Sequence, residues 1–197
     1  MIKNTFKCWS CAEKIEETDF FCPSCNIIQP AMQIDHFMRL KMPNDFDLGL
    51  KKLEVAYFSL QTKLHPDRFS NKSEKEKLFS MQQSMCANEA YETLKSPLTR
   101  AEYILKLEGI SVNSDGSAIK PSQELLVESL EIRERLSDAT SQEEIRQLTI
   151  ETMENKLETI DSIKQNLIDK KFEAAAQDTI KLRYLEKLAE EIKGRKI

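Results

Sequence analysis

Glycine is scarce in this sequence, with four in 197 residues and only six prolines beside them. So few turn formers, among long runs of Glu, Lys, Leu, Gln and Ala, favour helix and leave little material for hairpins. No run of 18 apolar residues exists, which excludes a membrane-spanning helix. No glycine-rich phosphate loop exists either, so the chain is not expected to bind ATP itself. Histidine occurs twice, as His36 and His65. No Ser or Cys has an evident place beside His65 as a nucleophile, and His36 reads as a packing residue, so no enzyme is expected. The formal charge of −4 gives no general reason to approach nucleic acid or an anionic membrane. The opening "MIKNTFKCWSC" has neither an apolar signal core nor an Arg-rich leader. The expected compartment is the cytoplasm, or the mitochondrial matrix for a eukaryotic source.

What is present is concentrated. Four of the five cysteines fall in the first 25 residues, as "CWSC" and "CPSC". Clustering of this kind suggests a local site rather than a disulfide framework. Two residues between cysteines let a tight turn aim both sulfurs at one point, and four thiolates complete a tetrahedron. Cys8, Cys11, Cys22 and Cys25 are therefore candidate ligands of a structural metal, zinc or iron, with no position left open for catalysis. The ten residues between the pairs are expected to form a small hairpin. A segment this short cannot bury a sufficient core, so a metal would hold it together. The alternative is a pair of redox dithiols, but no βαβ pattern surrounds them. Cys86 reads as a small hydrophobe within a helix.

The rest is helical. A short apolar segment runs from Ile34 to Met42. A helix from about Leu48 to Leu64 repeats Leu53, Tyr57, Leu60 and Leu64 on one face. Ser73 and Glu76 fit a capping box, and the helix they start continues through Leu78, Met81, Met85, Tyr91 and Leu94. Pro97 opens a shorter helix that ends at Gly109. Residues 110–120 are polar and turn-rich and read as a linker. Three further stretches, 121–137, 141–170 and 172–194, have short connections and suggest an antiparallel bundle. The expected class is all-α, divided into a tetracysteine metal-binding module at 1–32, a helical hairpin domain at 33–110, a linker at 111–120 and a C-terminal bundle at 121–197.

Between the two long helices stands "KLHPDRF". Pro66 forces His65 away from the helical region and ends the helix. Asp67 is then displayed on a stiff turn, where a carboxylate suits a bidentate Arg on a partner. Lys52 and Lys63 lie on one outward face of the preceding helix, and Arg68 follows the loop.

The bundle offers a second surface. On the helix over 121–137, Leu125, Ser129, Ile132 and Leu136 share a narrow arc, the natural core face. Leu126, Val127 and Leu130 lie roughly opposite, near Glu131 and Glu134. An apolar stripe rimmed by acids is what a protein-binding surface would look like. In the last helix, Ala175, Leu182, Leu185, Ala189 and Ile192 form one stripe, and Ile180 and Tyr184 lie off it.

"FDLGLKKLEVAYFSLQTKLHPDRF" followed by "ANEAYETLKSPLTRAEYIL" resembles the J-domain of the HscB-type co-chaperones of iron–sulfur cluster assembly. "IDHFMRL" resembles that family's first helix, "ELLVESLEIRERL" and "AAAQDTIKLRYLEKL" resemble parts of its C-terminal bundle, and "CWSC…FFCPSCNIIQP" resembles the tetracysteine segment some members carry. The resemblance implies a non-enzymatic helper that stimulates an Hsp70-class, HscA-like ATPase and delivers an IscU-like scaffold to it. It implies chaperone contacts for His65, Pro66, Asp67, Lys52, Lys63 and Arg68. It implies scaffold contacts for Leu126, Val127, Leu130, Glu131, Glu134 and Tyr184, with Val127 shorter than the Met expected there. Zinc is the implied structural cofactor. Three uses of the tetracysteine module stay open: packing on the J-domain, forming a dimer, or touching the scaffold. A J-domain protein with another client, and a nucleic-acid-binding zinc module, are the alternatives. Few basic residues near the module (Lys3, Lys7, Lys14) argue against the last.

Overall fold

The structure, a computed structural model, describes residues 5–112 and 119–195. It divides into two compact units between Ser96 and Pro97. Among the described residues, no helix is long and apolar enough to cross a membrane.

The first unit begins with a two-stranded antiparallel ladder, β1 (Thr5–Lys7) and β2 (Lys14–Glu16), in which Phe6 faces Ile15. This hairpin encloses the first cysteine pair; it does not lie between the pairs as the sequence suggested. The second pair sits inside a single bridge, Phe21 to Ile28. Next come α1 (His36–Leu40), α2 (Leu50–Leu64), a 3-10 turn over Pro66–Phe69, and α3 (Glu74–Lys95).

Helices α2 and α3 form the hairpin that positions the His-Pro-Asp corner. Leu53, Leu60 and Leu64 bury the expected face of α2, with Tyr57 half-buried. The facing surface of α3 is different from its apolar pattern. Ser80, Gln83, Ser84, Ala87, Ala90 and Leu94 are buried, while Leu78, Met81 and Met85 face solvent. Small residues let the two helices approach, and each buried hydroxyl finds a partner. Ser80 Oγ donates to the Leu64 carbonyl at 2.6 Å, and Ser84 Oγ donates to Gln61 at 2.8 Å. Farther along, Tyr57 bonds Asn88 and stacks on Tyr91 with centroids 4.3 Å apart.

The second unit contains α4 (Pro97–Leu107), α5 (Gln123–Asp138), α6 (Gln142–Ile168) and α7 (Phe172–Gly194). The breaks at Thr140–Ser141 and Asp169–Lys171 fall where the sequence put them. Both long-helix starts with a Ser-x-x-Glu pattern, at Ser73 and Ser141, form complete capping boxes. Hydrogen bonds from the Ser73 hydroxyl and backbone hold the Glu76 carboxyl below its usual range. The Thr140 and Ser141 backbone N–H groups do the same for Glu144. Their stabilisation is therefore present above the unfolded carboxylate range and lost as pH falls through the lower folded values.

Helix α7 is the centre of this unit. Side-chain contacts set its neighbours: the ion pairs Glu128–Lys181 and Arg133–Glu191 run α5 parallel to α7, while the ion pair Lys156–Glu186 and the hydrogen bond from Asn166 to Asp178 run α6 antiparallel. This is the expected three-helix bundle with one addition. Helix α4, placed by the sequence in the hairpin domain ending at 110, packs on α7 within the second unit. Leu105 and Val112 join Leu125, Ala176 and Ile180 in one buried cluster. The expected linker is thus anchored at Val112, and residues 113–118 lie outside the described residues.

Arg183 fixes α4 to α7. It donates to Glu102 at 2.5 Å and to the Val112 carbonyl at 2.9 Å, both sites largely shielded from water. Arg183→Ala is expected to lower the stability of the second unit by about 2 kcal/mol, because Glu102 and the carbonyl lose a charged donor. Urea unfolding followed by circular dichroism measures it, and an unchanged midpoint would refute the anchoring role.

Candidate functional site

The cysteine site is two copies of one turn. Cys8 N–H bonds the Glu13 carbonyl, and Ala12 N–H bonds the Cys8 carbonyl. Cys22 N–H bonds Ile27, and Asn26 N–H bonds Cys22, in the same pattern. Ala12 and Asn26, each four residues after the first cysteine of its pair, both take left-handed backbone, with φ of 61° and 55°. Asn tolerates that conformation and Ala does so at a cost. The repeat is visible in the sequence only as the matching positions of the two Cys-x-Ser-Cys strings.

These turns bring Cys8, Cys11, Cys22 and Cys25 together with all four sulfurs within 4.8 Å of one another. Cys8 lies 3.7 Å from Cys25, and Cys11 lies 3.6 Å from Cys22. A tetrahedral ion with metal–sulfur bonds of about 2.3 Å needs sulfurs about 3.8 Å apart. The four thiols therefore fit a tetrahedral metal ion. Cys86 is half-buried and belongs to no such group among the described residues.

Without a cation, four close thiols cannot all ionise. Burial opposes ionisation of Cys8, but the Cys11 and Ser10 N–H groups and the neighbouring thiols outweigh it and bring Cys8 down to about 6. At Cys25 the Ile27 N–H favours the thiolate, yet burial and the three neighbouring sulfurs push it up to about 12. A divalent ion removes that conflict and displaces the remaining protons.

Gln29 ties the site to the helices. It is fully buried, and its Nε2 donates to Cys8 Sγ at 3.3 Å and to the Ile27 carbonyl at 2.7 Å. Its own backbone carbonyl accepts from Gln83 Nε2 of α3 at 3.2 Å. Gln83 Oε1 in turn accepts from buried Arg39 of α1 at 3.1 Å. Trp9 adds a second tie: its Nε1 donates to Ile28, its ring meets Phe79 edge-on, and Lys75 stands 4.3 Å above it. The module thus packs on α3 as part of the first unit, not as a separate domain at 1–32. Gln29, Gln83 and Arg39 carried no signal in the sequence, since none belongs to an apolar stripe or a ligand spacing.

At the turn of the hairpin, His65, Pro66, Asp67 and Arg68 are all exposed, with the Asp67 side chain 90% accessible. Asp67 N–H donates to His65 Nδ1 at 3.3 Å, and buried Phe69 anchors the turn. Lys52 and Lys63 are exposed along α2. So are Val55 and Phe58, two apolar side chains that the periodic stripe of this helix leaves out.

On α5 the two-faced pattern holds. Leu125, Ser129 and Leu136 are buried and Ile132 is partly so. Leu126, Val127 and Leu130 are 41%, 49% and 62% exposed, with Glu131 and Glu134 exposed beside them. The second stripe of α7 is corrected. Ile180 is buried and Tyr184 half-buried, both packed in the cluster that holds Leu105 and Leu125. Helix α4 covers the side that the sequence left open.

The relatives agree with this architecture. The mouse protein named iron–sulfur cluster co-chaperone HscB is 37% identical over 95% of this chain and 81% of its own. The chain belongs to the HscB family. Residues 121–193 match the family model described as the HscB C-terminal oligomerisation domain. The crystal structure of human co-chaperone HscB superposes with a TM-score of 0.89 at 32% identity, covering 95% of this chain and 96% of that one. The chaperone HscB from Vibrio cholerae gives 0.74 at 30% identity over 81% of this chain and 96% of its own.

In this HscB-family chain, the double substitution Cys8→Ser/Cys11→Ser is expected to abolish bound metal, since two of four ligands go. Acidification should also release the ion from the unsubstituted protein, because the ligands must be thiolates. Elemental analysis of the purified protein decides: metal content equal in both proteins would remove the site.

Proposed function

We propose that this chain is a co-chaperone of iron–sulfur cluster assembly, a helper rather than an enzyme. Its His65-Pro66-Asp67 corner engages an Hsp70-class ATPase and stimulates hydrolysis. Its α5 face holds the cluster scaffold protein. Zinc, held by Cys8, Cys11, Cys22 and Cys25, is structural, because all four ligands come from the protein and no position is left for a substrate.

One observation carries the reading: Asp67 stands almost wholly in water on a turn that cannot relax. Pro66 fixes its backbone and Phe69 pins the far side. A carboxylate held this way pays little ordering entropy when it meets a guanidinium on a partner. Lys52, Lys63 and Arg68 supply the positive field that steers an acidic partner to the corner. The α5 patch supports the second half. Leu126, Val127 and Leu130 offer apolar area away from the core, and Glu131 and Glu134 limit which partners fit. Tyr184, packed with Leu125, backs α5 from within and contributes what exposure it keeps. The bundle presents the scaffold while the hairpin triggers the motor, so that hydrolysis traps the scaffold on the chaperone.

Asp67→Ala should abolish stimulation in a steady-state ATPase assay of the partner chaperone while leaving the circular dichroism spectrum unchanged. Undiminished stimulation would refute the docking role. Leu126→Ala/Leu130→Ala should weaken capture of the scaffold at least about tenfold, because truncating apolar anchors at an interface centre costs more than about 1 kcal/mol each. Both side chains are outside the core, so stability should hold. Unaltered scaffold binding would assign the client to another surface.

A further inference from the structure

One flank of α2 borders three adjoining cavities. The middle one, of about 380 Å³, lies between Ala56, Ser59, Leu60 and Lys63 of α2 and the Thr18–Phe21 segment of the tetracysteine module, with Arg39, Leu40 and Lys41 at the end of α1 completing its border. At one end it shares Lys41, Ala56 and Ser59 with a cavity bordered by Lys51 and Lys52. At the other it shares Phe21 and Lys63 with a cavity bordered by Arg68 and Lys72, directly after the His-Pro-Asp corner. The three therefore form one trough along α2. From Lys51 to Lys63 it runs about 18 Å at about 1.5 Å per residue.

Its chemistry is uneven. Lys41, Lys51, Lys52, Lys63, Arg68 and Lys72 border it, against the carboxylates Asp19, Asp47 and Glu76. Asp19 already accepts the Glu16 N–H at 2.8 Å, and Glu76 closes the capping box with Ser73. The floor is partly apolar, with Leu60, Phe20 and Phe21. Cations strung along a length, rather than converging on a point, suit an extended acidic segment and not a small anion.

We propose that the tetracysteine module is the second wall of the chaperone-docking site, and that the trough seats an acidic segment of the Hsp70-class partner. The inference rests on the reading that α2 and Asp67 engage that ATPase. What it adds is a task for the module. The Gln29–Gln83 and Trp9–Phe79 contacts clamp the module to α3 and so hold Thr18–Phe21 at a fixed distance from α2. A wall set before binding lowers the ordering cost of docking. The metal then acts on affinity for the partner, and the His-Pro-Asp corner acts on the maximal rate.

The test is a titration of an Hsp70-class chaperone of iron–sulfur assembly with the full-length chain, reading ATPase rate at each concentration. Thr18→Glu and Phe20→Ala lie on the module's wall, outside the hairpin and the corner. Each is expected to raise the half-saturating concentration about three- to tenfold and to leave the maximal stimulation unchanged, with metal content retained. If Phe20→Ala loosens the module and loses metal, Thr18→Glu, which adds a like charge for an acidic segment on the module's wall, decides alone. Asp67→Ala runs alongside. If Asp67→Ala leaves stimulation intact, the docking reading fails and the trough with it. If Asp67→Ala is inactive but Thr18→Glu titrates like the unsubstituted chain, the second wall alone is overturned.

Discussion

Pro66 has no N–H to donate, and its ring drives His65 out of the helical region to φ −56° and ψ 130°. The geometry of the hairpin's turn depends on that break. A continuing helix would have satisfied the Leu64 carbonyl from four residues on. Here Ser80 of α3 does so instead, and the hydrogen bond locks the return helix against the outgoing one. The corner is thus exposed and restrained for the same reason: its chain cannot rejoin α2, and the Leu64 carbonyl is held from inside.

The locked hairpin has a polar seam. Ser80, Ser84, Gln61, Asn88 and Tyr57 would cost stability if buried without partners. Each is bonded across the seam, which makes register specific in a way that interchangeable leucines would not. The same arrangement explains why α3 misleads a periodicity argument. Leu78, Met81 and Met85 point outward, and its core face is mostly Ala, Ser and Gln, with Leu94 at its end. Hydrophobic pattern reads which residues would gain by burial; it does not read how closely two backbones approach.

Elements with local signals were therefore legible and elements with distant partners were not. Capping boxes at Ser73 and Ser141, the breaks before α6 and α7, the cysteine spacing and the core arc of α5 all rest on residues a few positions apart. Helix α4 fell on the wrong side of a boundary because Pro97 and the turn-rich 110–120 stretch both look like punctuation. The Arg183 contacts with Glu102 and Val112, and the burial of Leu105 against Ala176 and Ile180, show which break separates the units. Gln29 was invisible for the same reason. A lone glutamine has no pattern, yet it joins a thiol to α3 and, through Gln83, to a buried arginine of α1.

The two apolar stripes that looked alike in the sequence differ in what lies against them. Ile180 and Tyr184 on α7 meet α4, so their stripe is a second core face on a helix packed from several sides. Leu126, Val127 and Leu130 on α5 join no buried cluster among the described residues, although Leu125 next to them is 8% exposed. A helix that buries one face on α7 gains nothing in folding from a second apolar face left in water. That face stays costly to solubility unless something covers it part of the time. Its acids, Glu131 and Glu134, keep the uncovered state soluble and set the charge a partner must answer. Under the proposed function, this exposed aliphatic stripe with an acidic edge suits a scaffold that is held and then released.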